Sequence, residues 1–309
     1  MTLQQFGPGR IDPGIPTRYV ETFLGEQGFW VEEILSYSGL CTVAKVRNMM
    51  RQDAPTTVAI KSFFGYFTVL THTPPAERSR LYGYSFFKEL NDATYQYWLE
   101  KFRLEAKTLM SLENPYLVRV YWAKLEEQLP YYVMEYLPEG NLTAYVDRVI
   151  RQKGRLSISD VLRLSRAVCC ALAVLHQHGV VHRDLTPQNI LMRNGVPVLC
   201  DLGYARYLNR PSNSETNKAP FFYWPPEYDH SFHHADQTAD VYSLGVLMYW
   251  LCTGTLPRYG SPPPSALNRE VPREMDEVVL RAIQYKATQR YQSVEECLSN
   301  IDALAAQFA

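Results

Sequence analysis

The chain has 309 residues, with 31 Lys and Arg against 32 Asp and Glu and a formal net charge of −1. Apolar residues make up 46% of the chain and charged residues 20%, which is typical of a globular protein and excludes a disordered or collagen-like chain. The balanced charge gives the chain no global basic field, so we do not expect nucleic acid or an anionic membrane as a partner. The length allows about two domains, or one two-lobed unit with a sizeable core.

The N-terminus lacks the basic-then-apolar pattern of a signal peptide, and no run reaches the ~18 apolar residues that a membrane span needs. We therefore expect a cytoplasmic protein without a membrane partner. The six cysteines form no CxxC pair and mostly lie in apolar runs. This distribution predicts buried, reduced thiols rather than a metal site or a disulfide framework.

The first 28 residues contain several glycines and prolines, among them Gly7-Pro8-Gly9 and Pro13-Gly14, which interrupt regular structure. We predict a loosely held arm over residues 1–28. Three runs rich in β-branched and aromatic residues follow, and they predict the strands of a small antiparallel sheet. These runs are residues 29–37, 42–48 and 56–64.

Residues 65–98 contain many aromatic side chains around the break Thr73-Pro74-Pro75, which is too aromatic a composition for a solvated linker. We call this segment the aromatic insert. Three interpretations stay open for it: a surface that a regulatory partner binds, a lid, or additional core over the neighbouring sheet. Clustered aromatic side chains normally bury themselves, which favours the last interpretation as much as the first.

The remaining chain begins with one helix and two strands and then becomes mainly helical. The first helix ends at Asn114-Pro115, because the residue before a proline avoids the helical region. Strands are predicted at residues 117–121 and 131–135, and helices from residue 141 onward. The predicted helices are 157–179, 239–252, 275–285 and 293–307. The pattern predicts an α+β chain with two lobes.

An acid and an amide lie close together on one short loop between two apolar runs, His182-Arg183-Asp184-Leu185-Thr186-Pro187-Gln188-Asn189, which we call the 182–189 loop. In such a loop Asp184 could accept a proton from a hydroxyl while Asn189 holds a cation nearby. A second acid, Asp201, follows an apolar run and precedes Leu202-Gly203. The loop therefore predicts a site for acid–base chemistry.

Together with Val58-Ala59-Ile60-Lys61 and Glu105, these acids resemble the signature of the eukaryotic-like (Hanks-type) protein kinases. Residues 265–293 resemble bacterial serine/threonine protein kinases in particular, and the resemblance covers about residues 29–305. It implies a bilobal protein kinase-like fold, with an antiparallel sheet and one helix in an N-terminal lobe, 29–137, and a mostly helical C-terminal lobe, 138–309. It also implies transfer of the γ-phosphoryl group of ATP to a Ser or Thr hydroxyl of a protein substrate, with Mg²⁺.

The resemblance assigns roles to the site residues. Asp184 orients or deprotonates the attacking hydroxyl, Lys61 grips the α- and β-phosphates and pairs with Glu105, and Asn189 and Asp201 hold Mg²⁺. Residues of the glycine-rich loop, two strands and the segment that joins the lobes are implied to bind ATP. They are Leu35, Ser36, Ser38, Gly39, Val43, Ala59, Lys61, Met134, Glu135 and Leu137.

Three departures from the family pattern lie near the γ-phosphate. Ser36, Ser38 and Cys41 occupy the usual glycine positions, where side chains hold the loop away from phosphates, although the serine hydroxyls could contact phosphate instead. Thr186 stands where serine/threonine kinases carry Lys, and Pro220 where they carry Thr. These departures keep two alternatives open. One is a pseudokinase or scaffold that presents the aromatic insert to a partner, and the other is a tyrosine or dual-specificity kinase.

Arg183 precedes the catalytic Asp, and in relatives this Arg often receives a phosphate on the activation segment. Ser212, Ser214 and Thr216 are candidate acceptors of that phosphate, and they lie between Asp201 and Glu227 together with other hydroxyl side chains. The resemblance also implies that Arg290 pairs with Glu227 inside the second lobe, which is a structural pair and not a catalytic one.

Overall fold

The computed structural model describes residues 14–38, 40–49, 55–64, 92–127, 129–208, 223–228 and 235–308. The chain divides into two compact units. The first consists of Met1–Glu113 and Val118–Tyr136, and the second of Asn114–Leu117 and Leu137–Ala309.

A five-stranded antiparallel sheet in the order β1-β2-β3-β5-β4 forms the first unit. Its strands are β1 Phe29–Tyr37, β2 Thr42–Asn48, β3 Thr57–Ser62, β4 Val120–Lys124 and β5 Tyr131–Glu135. The strand predicted at 117–121 was placed too early, because Leu117 instead forms an isolated bridge with Leu199 within the second unit.

The register of the sheet places four of the candidate ATP-binding residues on one face. Val43 pairs with Lys61, and Ala59 pairs with Met134. Since side chains alternate along a strand, these four lie on the same face. The opposite face is apolar and belongs to one buried core cluster. The residues of this core cluster that lie on the opposite face of the sheet are Ala44, Val46, Val58, Ile60 and Val133.

Helix α1, Gly14–Glu26, packs on this apolar face, and its Val20 and Leu24 are buried in the same cluster. The loosely held arm predicted over residues 1–28 is therefore wrong for Gly14–Glu26. Pro16 is compatible with the helix because the first turn has no intrahelical acceptor for its missing N–H. Burial of the apolar side chains of α1 outweighs the glycine and proline content that indicated an arm.

Helix α2, Asp92–Ser111, contacts the sheet through aromatic side chains. The ring centroid of Phe102 lies 5.4 Å from that of Tyr132, and Tyr95 lies 5.5 Å from Phe63. Residues 65–91 of the aromatic insert lie outside the described residues, whereas its last residues form the start of α2. At Tyr95 the insert thus packs, half-buried, against Phe63 beside the sheet.

The second unit is mainly helical. Its helices are α3 Leu142–Lys153, α4 Ile158–Gln177, α5 Gln237–Thr253, α6 Pro264–Leu267, α7 Arg273–Ala282 and α8 Val294–Ala305. Its short strands are β6 Val180–Val181, β7 Ile190–Arg193, β8 Val196–Leu199 and β9 Arg206–Tyr207. The sequence-based α+β class is confirmed, and α7 ends at Ala282, three residues before the predicted end at 285.

Helix α4 ends beside the 182–189 loop, and its ends have clear local causes. Ser157 accepts the N–H of Asp160 at 3.1 Å and caps the start of the helix. Gly179 has a positive φ of 70°, which lets the chain leave the helix and enter β6. Helix α5 lies against α4 and α7, and most of its residues are buried.

Three of the cysteines, Cys169, Cys252 and Cys297, are buried, and the other three are half-buried. Within the described ranges, no helix has the length and apolar content needed to cross a membrane.

Candidate functional site

Lys61 and Glu105 form a buried ion pair in the first unit. Lys61 lies on β3 and Glu105 on α2, and Lys61 Nζ is 2.9 Å from Glu105 Oε1 and 3.1 Å from Oε2. Their side chains are 7% and 1% exposed. A buried ion pair is stable only when further hydrogen bonds satisfy its remaining polar atoms. Tyr132 on β5 supplies one, since its hydroxyl donates to Glu105 Oε1 at 3.1 Å.

The other candidate ATP-binding residues that the structure describes lie on β1, in the loop after β1, at the end of β5 and in the second unit. Leu35 and Ser36 are exposed on β1, and Gly39 lies outside the described residues. Glu135 is held at the end of β5, where its N–H donates to the carbonyl of Arg119 and its carboxylate accepts the N–H of Arg119. Leu137 belongs to the second unit.

Ser38 hydrogen-bonds to its own loop. Its hydroxyl oxygen accepts the N–H of Cys41 at 3.0 Å and that of Leu40 at 3.4 Å, and it donates to the carbonyl of Cys41 at 3.1 Å. The N–H of Ser38 also donates to this carbonyl, at 2.8 Å. Serine side chains commonly satisfy backbone groups two or three residues away in this manner. The hydroxyl therefore occupies two backbone donors of the loop that the family resemblance predicts at the phosphates.

In the second unit, Asp240 on α5 holds the start of the 182–189 loop. Its carboxylate accepts the N–H groups of His182 and Arg183, both at 2.8 Å, and lies 2.8 Å from Nε2 of His176 on α4. Arg183 has a left-handed φ of 63°, which is unfavourable for a residue with a Cβ. The buried carboxylate of Asp240 therefore stabilises a strained loop conformation directly before Asp184.

Asp184, Asn189 and Asp201 lie close together. Asn189 Nδ2 donates to Asp184 Oδ2 at 2.8 Å and to its backbone carbonyl at 2.9 Å. Burial raises the pKa of the Asp184 carboxyl above its ordinary value, and the negative charge of Asp201 raises it further against the opposing effects of His182 and Asn189. Asp201 has a φ of 64°, and its carboxylate accepts the N–H of Gly203 at 3.0 Å.

The donor atoms at this cluster suit Mg²⁺. The amide nitrogen of Asn189 is used by Asp184, which leaves the amide oxygen as the ligand atom that Asn189 can offer, and Asp201 offers a carboxylate. Mg²⁺ prefers oxygen ligands and is usually held by one or two protein groups together with phosphates and waters. The described ranges contain no group of three or more His, Cys, Asp and Glu that could hold a metal without such additional ligands.

Among the candidate regulatory residues, the structure describes Arg183. It is 2% exposed, and its Nε donates to the carbonyl of Tyr204 at 2.8 Å. Ser212, Ser214 and Thr216 lie outside the described residues.

The predicted pair of Arg290 and Glu227 is confirmed. Two guanidinium nitrogens of Arg290 each lie 2.7 Å from one carboxylate oxygen of Glu227. Arg290 also donates to the carbonyls of Gln284, Tyr285 and Thr238, so this buried cation is fully hydrogen-bonded. The pair joins the segment around Glu227 to the core of the second unit.

Sequence analysis missed three residues that support the site: Tyr132, His176 and Asp240. Strand alternation could have identified Tyr132, because it lies two residues before Met134 on the same face. For Asp240 and His176, spacing along the chain offers no signal, since the contact of Asp240 with the 182–189 loop and that of His176 with Asp240 depend on the packing of α4 and α5.

The family model described as protein kinase domain matches residues 78–307. A probable serine/threonine-protein kinase of Clostridium perfringens is 29% identical over 223 residues, which are 67% of this chain and 32% of that protein. The serine/threonine-protein kinase PknB of Mycolicibacterium smegmatis is 33% identical over 224 residues, 65% of this chain and 35% of that protein. The serine/threonine-protein kinase PrkC of Bacillus subtilis is 28% identical over 221 residues, 66% and 33% of the two chains.

The chain thus spans about a third of the length of these relatives. The match to the family model begins after β3, so Lys61 lies outside it, and its partner Glu105 lies within it. The match covers most of the chain and includes α2 to α8, β4 to β9 and the 182–189 loop. The chain belongs to the protein kinase family.

Proposed function

We propose that the chain is an ATP- and Mg²⁺-dependent kinase that transfers the γ-phosphoryl group to a Ser or Thr hydroxyl of a protein substrate. The observation that carries this proposal is the cluster in which the half-buried Asp184 carboxylate lies 2.8 Å from the amide of Asn189 and interacts with Asp201. The relatives named as serine/threonine kinases support the choice of acceptor. ATP-dependent transfer also fits the cytoplasmic location predicted from the sequence.

Asp184 is the proposed proton acceptor. The hydroxyl oxygen of the acceptor forms a bond to the γ-phosphorus while the bond from that phosphorus to the β–γ bridging oxygen breaks, and the hydroxyl proton passes to Asp184. Its raised pKa supports this role, because a carboxylate is a better base when its pKa is closer to the working pH. The hydrogen bond from Asn189 holds the carboxylate in one orientation.

Lys61 is the proposed ligand of the α- and β-phosphates, and Glu105 fixes the direction of its ammonium group. Asn189 and Asp201 would hold Mg²⁺, which supplies positive charge to the phosphate oxygens when bound. Val43, Ala59 and Met134 share a face with Lys61 and are proposed to contact the adenine and sugar.

Transfer of labelled phosphate from [γ-³²P]ATP tests this proposal. The purified chain is incubated with ATP, Mg²⁺ and a generic protein acceptor, as wild type and as Asp184→Ala. Asp147→Ala is a matched control, since it removes an exposed acid from α3 of the same unit. We expect label on Ser or Thr with the wild type and the control, and at least a 100-fold lower rate with Asp184→Ala.

Other outcomes point to the alternatives. Label found only on tyrosine would replace the serine/threonine proposal with the tyrosine-kinase alternative. Absence of label in wild type and variant alike, together with no thermal stabilisation by millimolar ATP and Mg²⁺, would overturn the enzyme proposal in favour of a scaffold. A nucleotide present at about 100 times its dissociation constant would add ~2.7 kcal/mol to the unfolding free energy, which a thermal shift detects easily.

Binding of a regulatory partner to the aromatic insert stays a prediction, because residues 65–91 lie outside the described residues. Deleting residues 66–91 and measuring both transfer and association tests it directly. Unchanged activity and unchanged association would contradict a docking role.

A further inference from the structure

Tyr132 connects the sheet to the ion pair of the first unit. It is 1% exposed, and its hydroxyl donates to the same Oε1 of Glu105 that accepts Lys61 Nζ at 2.9 Å. Glu105 thus receives contacts from a cation on β3, at both carboxylate oxygens, and from a hydroxyl on β5, at Oε1. Its carboxylate plane is fixed by both.

The pairing of β3 with β5 explains why the hydroxyl reaches Glu105. Lys61 and Tyr132 are directly opposite each other in the register, so both side chains leave the same face of the sheet. The ring of Phe102, one turn before Glu105 on α2, lies 5.4 Å from the Tyr132 ring. Helix and strand are therefore in contact through the ring as well as through the hydroxyl.

The hydroxyl of Tyr132 restricts the rotation of the buried Glu105 carboxylate. A carboxylate that is 1% exposed needs hydrogen-bond donors to remain ionised, and a single ammonium group does not fix its rotation. A tyrosine hydroxyl in a rigid strand restricts that rotation without adding charge. Removal of the hydroxyl leaves the ion pair but removes one restraint on the rotation of the Glu105 carboxylate.

We infer that Tyr132 is a positioning residue for phosphate binding, which acts through Glu105 to orient the ammonium group of Lys61. The inference rests on the proposed function, because it assumes that Lys61 binds the phosphates of ATP. Tyr132 adds a third member to the Lys61–Glu105 pair, and its contribution appears in the affinity for nucleotides that carry phosphates.

The test compares Tyr132→Phe with Tyr131→Phe. Tyr131 is the preceding residue of β5 and is equally buried, but it faces the core cluster on the other side of the sheet and packs on Phe29. Equilibrium dissociation constants are measured for ATP, ADP and adenosine. We expect Tyr132→Phe to weaken ATP and ADP by about three- to tenfold and to leave adenosine unchanged, whereas Tyr131→Phe affects none of the three.

A double-mutant cycle separates positioning from a general structural effect. In a Glu105→Ala background the hydroxyl has no carboxylate to hold, so Tyr132→Phe should change the ATP dissociation constant by less than about twofold. The inference is overturned if Tyr132→Phe binds ATP like the wild type, if adenosine is weakened equally, or if the effect persists without Glu105. In each of these cases tight ATP binding by the wild type leaves the proposed function intact. If the wild type binds no nucleotide, both are overturned.

Discussion

The carboxylate of Asp240 accepts the backbone N–H of Arg183 at 2.8 Å, and this contact spans 57 residues of sequence. Arg183 has a φ of 63°, a conformation that costs roughly 1–2 kcal/mol for a residue with a Cβ. Asp240 also accepts the N–H of His182, so two consecutive peptide groups are held before Asp184. Asp240, a buried acid on helix α5, thus sets the position of Asp184, the proposed base.

Replacement of Asp240 by Asn should destabilise the second unit. Asn offers only one acceptor oxygen, so its amide N–H donors would face one of the two backbone N–H groups that the carboxylate oxygens accept. Since Asp240 is buried, we expect the free energy of unfolding in urea to fall by about 3 kcal/mol or more. Asp302→Asn is a suitable control, because it removes an exposed ion pair with Arg166 that contributes at most about 1 kcal/mol. Equal losses in the two variants would contradict the role of Asp240.

The contribution of Asp240 should depend on pH. Burial by itself would raise the pKa of this carboxyl, but the hydrogen bonds from His176 and from the backbone N–H of Arg183, together with the electrostatic interactions with His176 and His182, lower it below 3.8 in the fold. A lowered pKa stabilises the folded state above about pH 3.8 and loses this effect as the pH falls below that value. The stability difference between wild type and Asp240→Asn should therefore shrink below that pH. A constant difference from pH 7 to pH 3 would contradict this prediction.

Asp184→Asn should raise stability while it abolishes transfer. The raised pKa of Asp184 means that its ionised form opposes folding at neutral pH, an effect that disappears as the pH falls through the folded-state pKa. An Asn side chain keeps an oxygen that can accept the hydrogen bond from Asn189. Without Mg²⁺ we expect roughly 0.5–2 kcal/mol of additional unfolding free energy at pH 7, and less at acid pH. Lower stability at pH 7 would contradict the prediction.

Ser38→Ala should tighten ATP binding if the loop amides meet phosphate, as the proposed function implies. The Ser38 hydroxyl now accepts the N–H of Cys41 at 3.0 Å, and a phosphate would have to displace it. A net hydrogen bond of about 1 kcal/mol corresponds to a roughly fivefold lower dissociation constant once that competition is removed. Ser38→Thr keeps a hydroxyl and should bind like the wild type. Weaker ATP binding by Ser38→Ala would show instead that the hydroxyl assists the phosphate.

Leu24→Ala tests whether α1 stabilises the sheet. Leu24 is completely buried against the apolar face, so its truncation should lower the unfolding free energy of the first unit by about 2–5 kcal/mol. Glu21→Ala, on the exposed side of the same helix, should have an effect within about 0.5 kcal/mol. Similar small effects in both variants would indicate that α1 contributes little.

The sequence by itself determined the features that depend on neighbours along the chain. Asp184 and Asn189 are five residues apart on one loop, so their contact needs no long-range packing. The alternation of side chains along β2, β3 and β5 is likewise local, because the period of two is a property of the extended backbone, whereas the register that places Val43, Ala59, Lys61 and Met134 on one face is not. The order of Lys61, Glu105, Asp184 and Asp201 was sufficient to indicate the family.

Only the tertiary structure decided which distant atoms meet. The contacts of Tyr132 with Glu105 and of Asp240 with Arg183 span 27 and 57 residues, and each depends on where a helix packs. Helix α1 shows the same limit, because local glycine and proline content indicated an arm, whereas burial of Val20 and Leu24 stabilises a helix. Local composition indicates which backbone conformations a segment prefers. The packing of apolar faces in the tertiary structure can override that preference.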